Sequence, residues 1–106
     1  AQLAAYAVSK GALHTLTRHV AQNYAGHGVR CNWVTVGWVM TPGEQQRLEA
    51  DGRSLAAVER QAAAEVPMGC MQQSEDIAYA CVYLLSDEAR YVTGTDIKPN
   101  GGFHVP

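Results

Sequence analysis

The sequence has 106 residues and lacks the features that mark disulfide-rich, zinc-binding or membrane proteins. Its 3 cysteines are widely spaced and include no Cys-x-x-Cys pair: Cys31, Cys70 and Cys81. A disulfide framework and a zinc site are therefore disfavoured, and we expect no metal. No apolar run approaches the roughly 18 residues that a membrane helix needs. The sequence shows no signal-peptide pattern, but it begins at Ala1 without a methionine. We expect a cytoplasmic protein with reduced thiols and no membrane partner.

The sequence also lacks a large excess of either acidic or basic residues. The chain carries 8 basic and 10 acidic side chains, a formal net charge of −2, and the two signs are interspersed. Nucleic acid is disfavoured as a partner because no basic stripe is present. Hydrophobic residues make up 47% and charged residues 17% of the chain, a balance typical of a folded globular protein.

Apolar periodicity predicts a first helix over residues 2 to 25. Its apolar side chains recur at spacings of three and four: Leu13, Leu16, Val20 and Tyr24. The tract Gly26-His27-Gly28 ends this helix, with glycine supplying a left-handed cap. Residues 29 to 36 carry β-branched, aromatic and other apolar types on both faces, which predicts a buried parallel strand.

Capping signals predict two helices after a loop that opens at Gly37. In Thr41-Pro42-Gly43-Glu44, the threonine is the expected N-cap and the glutamate its reciprocal partner in a capping box. This helix is expected to end near Asp51-Gly52. Ser54 caps the second helix, which runs to about residue 65.

Ser74 starts one more helix, acidic in its first turn. Its expected apolar face is Ile77, Cys81, Leu84 and Leu85. Residues 95 to 98 predict a short strand, followed by a turn at 100–102. The order helix, strand, helix, helix, helix, strand suggests an α/β fold with a parallel sheet and a right-handed crossover. Because two strands alone make a poor sheet, we expect completion by further chain or by another subunit.

Tyr6 and Lys10 form a pair suited to acid/base chemistry. Four positions apart on the first helix, they share one helix face. A phenol is a poor base at neutral pH, but a lysine cation one turn away stabilises the phenolate. Such a tyrosine can exchange a proton with the substrate as a hydride moves at the adjacent carbon. The same spacing also occurs by chance on many helices without a catalytic role.

The remaining polar candidates have structural interpretations. Ser9 has no histidine–carboxylate pair that would make it a nucleophile. Trp33 and Trp38 are expected in the core or in a pocket wall. The histidines show no metal-ligand spacing and are interpreted as surface or packing residues: His14, His19, His27 and His104.

Several segments together resemble the short-chain dehydrogenase/reductase family. In the family's order they are Tyr6-Ala7-Val8-Ser9-Lys10-Gly11-Ala12-Leu13, Gly28-Val29-Arg30-Cys31-Asn32-Trp33-Val34, Gly37-Trp38-Val39-Met40-Thr41-Pro42, Val66-Pro67-Met68-Gly69, Val92-Thr93-Gly94 and Asn100-Gly101-Gly102. They cover essentially the whole chain. The resemblance implies that residues 1–106 are the C-terminal portion of a single doubly wound, Rossmann-like domain.

The resemblance also implies roles for particular residues. Tyr6 is the counterpart of the catalytic acid/base, and Lys10 of the lysine that binds the nicotinamide ribose. Three loop residues are implied to contact the nicotinamide and pyrophosphate: Gly37, Val39 and Thr41. Residues 43 to 65 correspond to helices that close over the substrate. The implied activity is NAD- or NADP-dependent oxidoreduction of a small alcohol or carbonyl by a homo-oligomer.

Two departures from the family pattern are visible. The family usually has proline before the loop glycine, whereas this sequence has Val36. Only 5 residues precede Tyr6, so the family's catalytic serine and glycine-rich phosphate loop are expected outside the chain. We therefore expect the 106-residue chain alone to show no dehydrogenase activity and negligible dinucleotide affinity. The alternative hypothesis is a truncated, inert remnant that acts only as a self-associating structural module.

Overall fold

The computed structural model describes residues 3–104. Its regular elements are helix α1 (Ala4–Asn23), strand β1 (Trp33–Val34), helices α2 (Pro42–Ala50), α3 (Leu55–Glu65) and α4 (Ser74–Leu85), and strand β2 (Asp96–Ile97). Short 3₁₀ turns cover Ala25–His27 and Asp87–Ala89. The predicted order of helices and strands is confirmed. Residue 2, the first of the predicted helix, lies outside the described residues.

The described residues form two compact units. The first comprises residues 3–33 and 82–97, and the second comprises residues 34–81 and 98–104. Strands β1 and β2 pair in a two-stranded parallel sheet, as the order of elements predicts.

In the first unit, α1 packs through one narrow face. Thr17 and Ala21 are its buried residues, and a Cβ built on Gly94 would lie 3.4 Å from the Ala21 methyl group. One turn earlier, His14 meets the Trp33 ring edge-on, with the ring centroids 5.0 Å apart. The Thr17 hydroxyl is satisfied because it donates to a backbone carbonyl of the preceding turn. This face therefore fixes the direction in which the rest of α1 extends.

The predicted apolar stripe of α1 lies beside this buried face. Its Leu13 and Leu16 are 47% and 54% exposed, respectively. The helix ends earlier than predicted, at Asn23, and the chain continues into the 3₁₀ turn. Gly28 then closes the turn in the left-handed region at φ 76°, which confirms the predicted glycine cap.

The predicted strand over residues 29 to 36 is wrong in length, because β1 covers only Trp33 and Val34. The Trp33 N–H donates to the Thr95 carbonyl at 2.9 Å. Immediately before it, the Asn32 side chain accepts from the Thr95 N–H at 3.1 Å and donates to the Val92 carbonyl at 3.0 Å. These side-chain bonds replace ladder bonds, since asparagine competes well for neighbouring backbone groups.

The core of the second unit lies between α2 and α3. It contains Leu48, Val58, Ala62, Val66 and Met71. Val58 and Ala62 are completely buried and four residues apart, so they form one face of α3. Trp38, Met40 and Phe103 pack against this core. The chain segment after β1 is thereby attached to the core through alternate side chains.

The predicted helix starts in the second unit are confirmed. Thr41 caps α2 and Ser54 caps α3, each side-chain oxygen accepting a backbone N–H at 3.1 Å. The reciprocal half of the predicted capping box is wrong. The Glu44 carboxylate instead accepts from the Arg47 guanidinium and from the Trp38 indole N–H. A charge-assisted bidentate bond outcompetes a bond to a backbone amide.

The predicted apolar face of α4 is partly wrong. Leu84 is buried and Ile77 and Cys81 are half-buried, but Leu85 is 83% exposed. Ile77, Cys81 and Leu84 are spaced by four and three residues and so share one helix face. Leu85 follows Leu84 directly and therefore points about 100° away from it around the helix axis.

The three cysteines Cys31, Cys70 and Cys81 are free thiols. None is fully buried, and Cys70 is exposed. Within residues 3–104, no helix combines the length and apolarity that crossing a membrane requires.

Candidate active site

Tyr6 and Lys10 are brought together on α1. The Lys10 Nζ lies 5.5 Å from the centroid of the Tyr6 ring, within cation–π range. Both side chains are exposed, the tyrosine to 60%. A ligand can therefore reach the phenol and the ammonium from the same side.

The position of this pair follows from the periodicity of α1. Lys10 and Tyr6 precede the buried Thr17 by roughly two and three turns of about 3.6 residues, and Lys10 lies about one turn before His14, which packs edge-on against Trp33. The helix face that is packed near its C-terminal half thus continues, toward its N-terminus, as the face that carries the pair. Contacts at His14, Thr17 and Ala21 hold α1 in place, so the continuous helix presents the pair in a fixed orientation.

The other candidate functional side chains on α1 have structural roles. The Ser9 hydroxyl donates to the Tyr6 carbonyl at 2.7 Å, so it is engaged with its own helix. His19 contacts Asn23, one turn further along α1. Among the described residues, no group of three or more His, Cys, Asp or Glu side chains could hold a metal ion.

Gly37, Val39 and Thr41 lie on one continuous segment in the second unit. Val39 forms an isolated parallel bridge with Gln72. The bridge consists of a bond from the Met40 N–H to the Gln72 carbonyl at 2.9 Å and one from the Gln72 N–H to the Trp38 carbonyl at 3.0 Å. Since neighbouring side chains of an extended segment point to opposite faces, Val39 faces away from the core-packed Trp38 and Met40.

Gly37 occupies a position with no room for a side chain. A Cβ there would lie 2.7 Å from Gln72 Oε1 and 2.9 Å from the Asn100 carbonyl oxygen. Its backbone is not in the left-handed region, unlike Gly101 and Gly102. Close approach of neighbouring groups, rather than an unusual dihedral angle, therefore explains glycine at this position.

The Thr41 hydroxyl acts as a hydrogen-bond acceptor and can also act as a donor. Its Oγ1 accepts the Glu44 N–H and so caps α2, but its hydroxyl hydrogen stays available for donation. The Arg47 guanidinium, hydrogen-bonded to Glu44, lowers the pKa of that carboxyl from its ordinary 4.5, and the Trp38 indole N–H acts in the same direction. Glu44 therefore remains an anion that links α2 to the loop through Trp38.

Gln72 is the residue that the sequence reasoning missed. It contacts Gly37 from 35 positions away, and no periodicity or motif marks it. A polar side chain in the break between Met71 and the start of α4 indicates only a turn. A side-chain hydrogen bond between residues so far apart in sequence depends on the tertiary packing and leaves no local sequence pattern.

A concave region of the first unit, about 550 Å³ in volume, lies elsewhere. Its lining includes Arg30, Ser86, Arg90 and Tyr91 and neither Tyr6 nor Lys10. In the second unit, a cavity of about 280 Å³ is lined by Trp38 and Gln72, beside the loop that contains Gly37.

Comparison with known sequences finds a matching protein family and similar individual proteins. The family described as enoyl-(acyl carrier protein) reductase matches residues 1–104. The chain is 42% identical over 100 residues to 2-(S)-hydroxypropyl-CoM dehydrogenase 3 of Xanthobacter autotrophicus, a match covering 94% of this chain and 39% of that protein.

Solved structures agree with this result. A short chain dehydrogenase family protein from Francisella tularensis matches at a TM-score of 0.81 and 32% identity, over 94% of this chain and 43% of that one. A putative NAD(P) dependent gluconate 5-dehydrogenase from Beutenbergia cavernae, with bound NADP, matches at 0.77 and 36% identity, over 94% and 38%. The chain therefore spans about two fifths of the length of these relatives.

Proposed function

This chain belongs to the short-chain dehydrogenase/reductase family, and we propose that it forms the C-terminal portion of one Rossmann-like domain that oxidises an alcohol or reduces a carbonyl with NAD or NADP. The observation that carries the proposal is the Tyr6–Lys10 pair, an ammonium 5.5 Å from a phenol ring on an exposed helix face. A Rossmann-like relative with bound NADP supports the cofactor class.

The donor chemistry of the pair fits a nicotinamide cofactor. The Lys10 ammonium offers three N–H donors, which suit ribose hydroxyls. The bound cofactor supplies or accepts the hydride. The Tyr6 phenol donates its proton to the substrate oxygen during carbonyl reduction and becomes a phenolate, and the phenolate accepts the substrate hydroxyl proton during alcohol oxidation.

The loop supplies the second set of contacts in this proposal. Backbone groups near Gly37 and Val39, together with the Thr41 hydroxyl, bind the nicotinamide and pyrophosphate. The bridge to Gln72 supports this role, because it holds the loop in one conformation. Residues 43 to 65, which include α3 and nearly all of α2, close over a small substrate. The proposal includes a homo-oligomer in the cytoplasm, where free thiols such as Cys70 persist.

The test is Tyr6→Phe in the intact protein that contains this chain. Removing the proton donor should lower kcat about 10²- to 10⁴-fold, while the cofactor dissociation constant stays close to that of the wild type. Lys10→Ala should impair both quantities, because the ammonium serves the ribose and the phenol. Tyr24→Phe, at an exposed phenol near the other end of α1, is the matched control. Near-wild-type turnover by Tyr6→Phe would show that the acid/base role is misassigned.

A second candidate function is an inert self-associating module. The half-exposed Leu13 and Leu16 on α1 favour it, since such a stripe suits burial against another surface. Calorimetric titration of the intact protein with NAD and NADP separates the two candidates. Absence of binding to either dinucleotide, in a protein that still assembles, would favour the inert module.

A further inference from the structure

Gln72 contacts the Gly37–Thr41 loop through both its backbone and its side chain. Its backbone forms the bridge to Trp38 and Met40. Its side-chain Oε1 accepts the Gly37 N–H at 2.6 Å, and its Nε2 donates to the Pro99 carbonyl. One residue therefore ties the loop to the segment that follows β2.

The side-chain amide is chemically required at this position. In this contact Gly37 presents its N–H, and Pro99, which has no N–H, presents its carbonyl, so the bridging group must accept at one end and donate at the other. Glutamate has the same shape but, when ionised, cannot donate. Methionine has a similar length but provides neither a strong donor nor a strong acceptor.

The backbone bridge does not include Gly37, the residue at which the loop starts. It holds residues 38 to 40, whereas Gly37 precedes it and is intrinsically the most flexible residue type. No proline occurs between residues 33 and 41, and Val36 is 48% exposed. The Gln72 side chain is the hydrogen-bond partner that fixes the peptide plane of Gly37, with the Asn100 backbone packed behind it.

We propose that Gln72 is a positioning residue that fixes Gly37, and with it the cofactor-facing backbone of the loop, in the conformation that binds the nicotinamide dinucleotide. This inference rests on the proposed function of the loop. Gln72 acts through Gly37 and does not itself touch the reacting atoms. Its loss should therefore weaken cofactor binding without changing the proton transfer at Tyr6.

The first measurement is residue-resolved amide hydrogen exchange on the intact protein and its Gln72→Met variant. The Gly37 amide should lose protection, because its acceptor is gone. The Met40 amide should keep its protection, because its acceptor is the backbone carbonyl of residue 72. Gln72→Glu, which keeps the acceptor, should protect Gly37 more than Gln72→Met does. It provides a second variant if Gln72→Met does not fold.

The second measurement is cofactor titration and steady-state kinetics of the same variants. Gln72→Met should weaken dinucleotide binding about tenfold, the effect of losing one or two net hydrogen bonds, with kcat at saturating cofactor nearly unchanged. Gln73→Met is the matched control, since it changes the exposed neighbour whose backbone N–H bonds to Asp76. This control should leave both exchange and affinity unaltered.

The outcomes are separable. Unchanged Gly37 exchange in Gln72→Met would overturn the proposal, because the side chain would then not hold the loop. Faster Gly37 exchange with unchanged cofactor affinity would also overturn it, since the loop conformation would not matter for binding. The Tyr6→Phe result decides the proposed catalytic function independently of either outcome.

Discussion

Two glycines, Gly37 and Gly11, have opposite environments. A Cβ on Gly37 would collide with Gln72 and Asn100, whereas a Cβ on Gly11, inside α1, would meet nothing within 4 Å. Gly37→Ala should destabilise the protein by about 1–3 kcal/mol through overpacking. Gly11→Ala should stabilise it by roughly 0.5–1 kcal/mol, since alanine is the better helix former. Urea unfolding of both variants measures these changes, and equal effects at the two positions would contradict the packing at Gly37.

At the residue scale, the sequence predicts what depends on local spacing. Tyr6 and Lys10 were identifiable because four residues along a helix bring side chains onto one face, and the structure brings these two together. The assignment of their chemistry remains a prediction. Gln72 was not identifiable, because its partners lie 35 and 27 positions away and depend on how the second unit packs.

Helices and strands show the same contrast between features set by local sequence and features set by long-range contacts. The N-caps at Thr41 and Ser54 were predictable because an N-cap side chain bonds to a backbone N–H only three residues further along the sequence. The length of β1 was not, because the hydrogen bonds of Asn32 to the chain around Val92 interrupt the ladder. The buried face of α1 was also not evident from hydrophobicity: Thr17 and Ala21 are buried, and the larger leucines are not.

The two capped helices allow the capping role of Thr41 to be separated from a cofactor role. Thr41→Ala and Ser54→Ala each remove an equivalent cap bond of 3.1 Å and should each lower the free energy of unfolding by about 0.5–2 kcal/mol. Only Thr41→Ala should also weaken dinucleotide binding, and Thr41→Ser should retain both properties. Unfolding curves and cofactor titrations measure the two effects. Equal loss of affinity in Ser54→Ala would mean that the loss arises through stability alone.

Glu44 gives helix α2 a pH dependence. Its folded-state pKa is lowered by the Arg47 hydrogen bond, so its stabilising contribution is present above the ordinary value of 4.5 and is lost as the pH falls through the lower, folded-state pKa. Glu44→Gln should therefore reduce the melting temperature near pH 7, and this difference should shrink as the pH falls below 4.5 and vanish once the pH is below the folded-state pKa of Glu44. Thermal melts across pH test this, with Glu59→Gln at an exposed carboxylate of α3 as the control. A difference that persists unchanged into acid would contradict the Glu44–Arg47 interaction.

At the scale of the whole molecule, large apolar side chains remain uncovered on the described surface. On α1 they include Val8, Leu13 and Leu16, and on α4 they include Val82 and Leu85. Charge does not oppose association, since the formal net charge is only −2. Exposed apolar surface of this extent is typical of a surface that is buried against another surface.

We therefore expect the 106-residue chain, prepared alone, to self-associate rather than remain a monomer. Among the described residues β1 pairs with β2 alone, so its other edge can accept a further strand, and Leu13 and Leu16 on α1 offer an exposed apolar contact. Burial of about 1,000 Å² of apolar surface, at roughly 25 cal/mol per Å², offsets much of the entropic cost of association. The simplest product is a two-fold symmetric dimer. Light scattering at micromolar concentration should give a mass of at least twice 11.4 kDa, and Leu16→Glu should reduce it. A stable, folded species at 11.4 kDa would show that the chain covers its own apolar surface and needs no second copy.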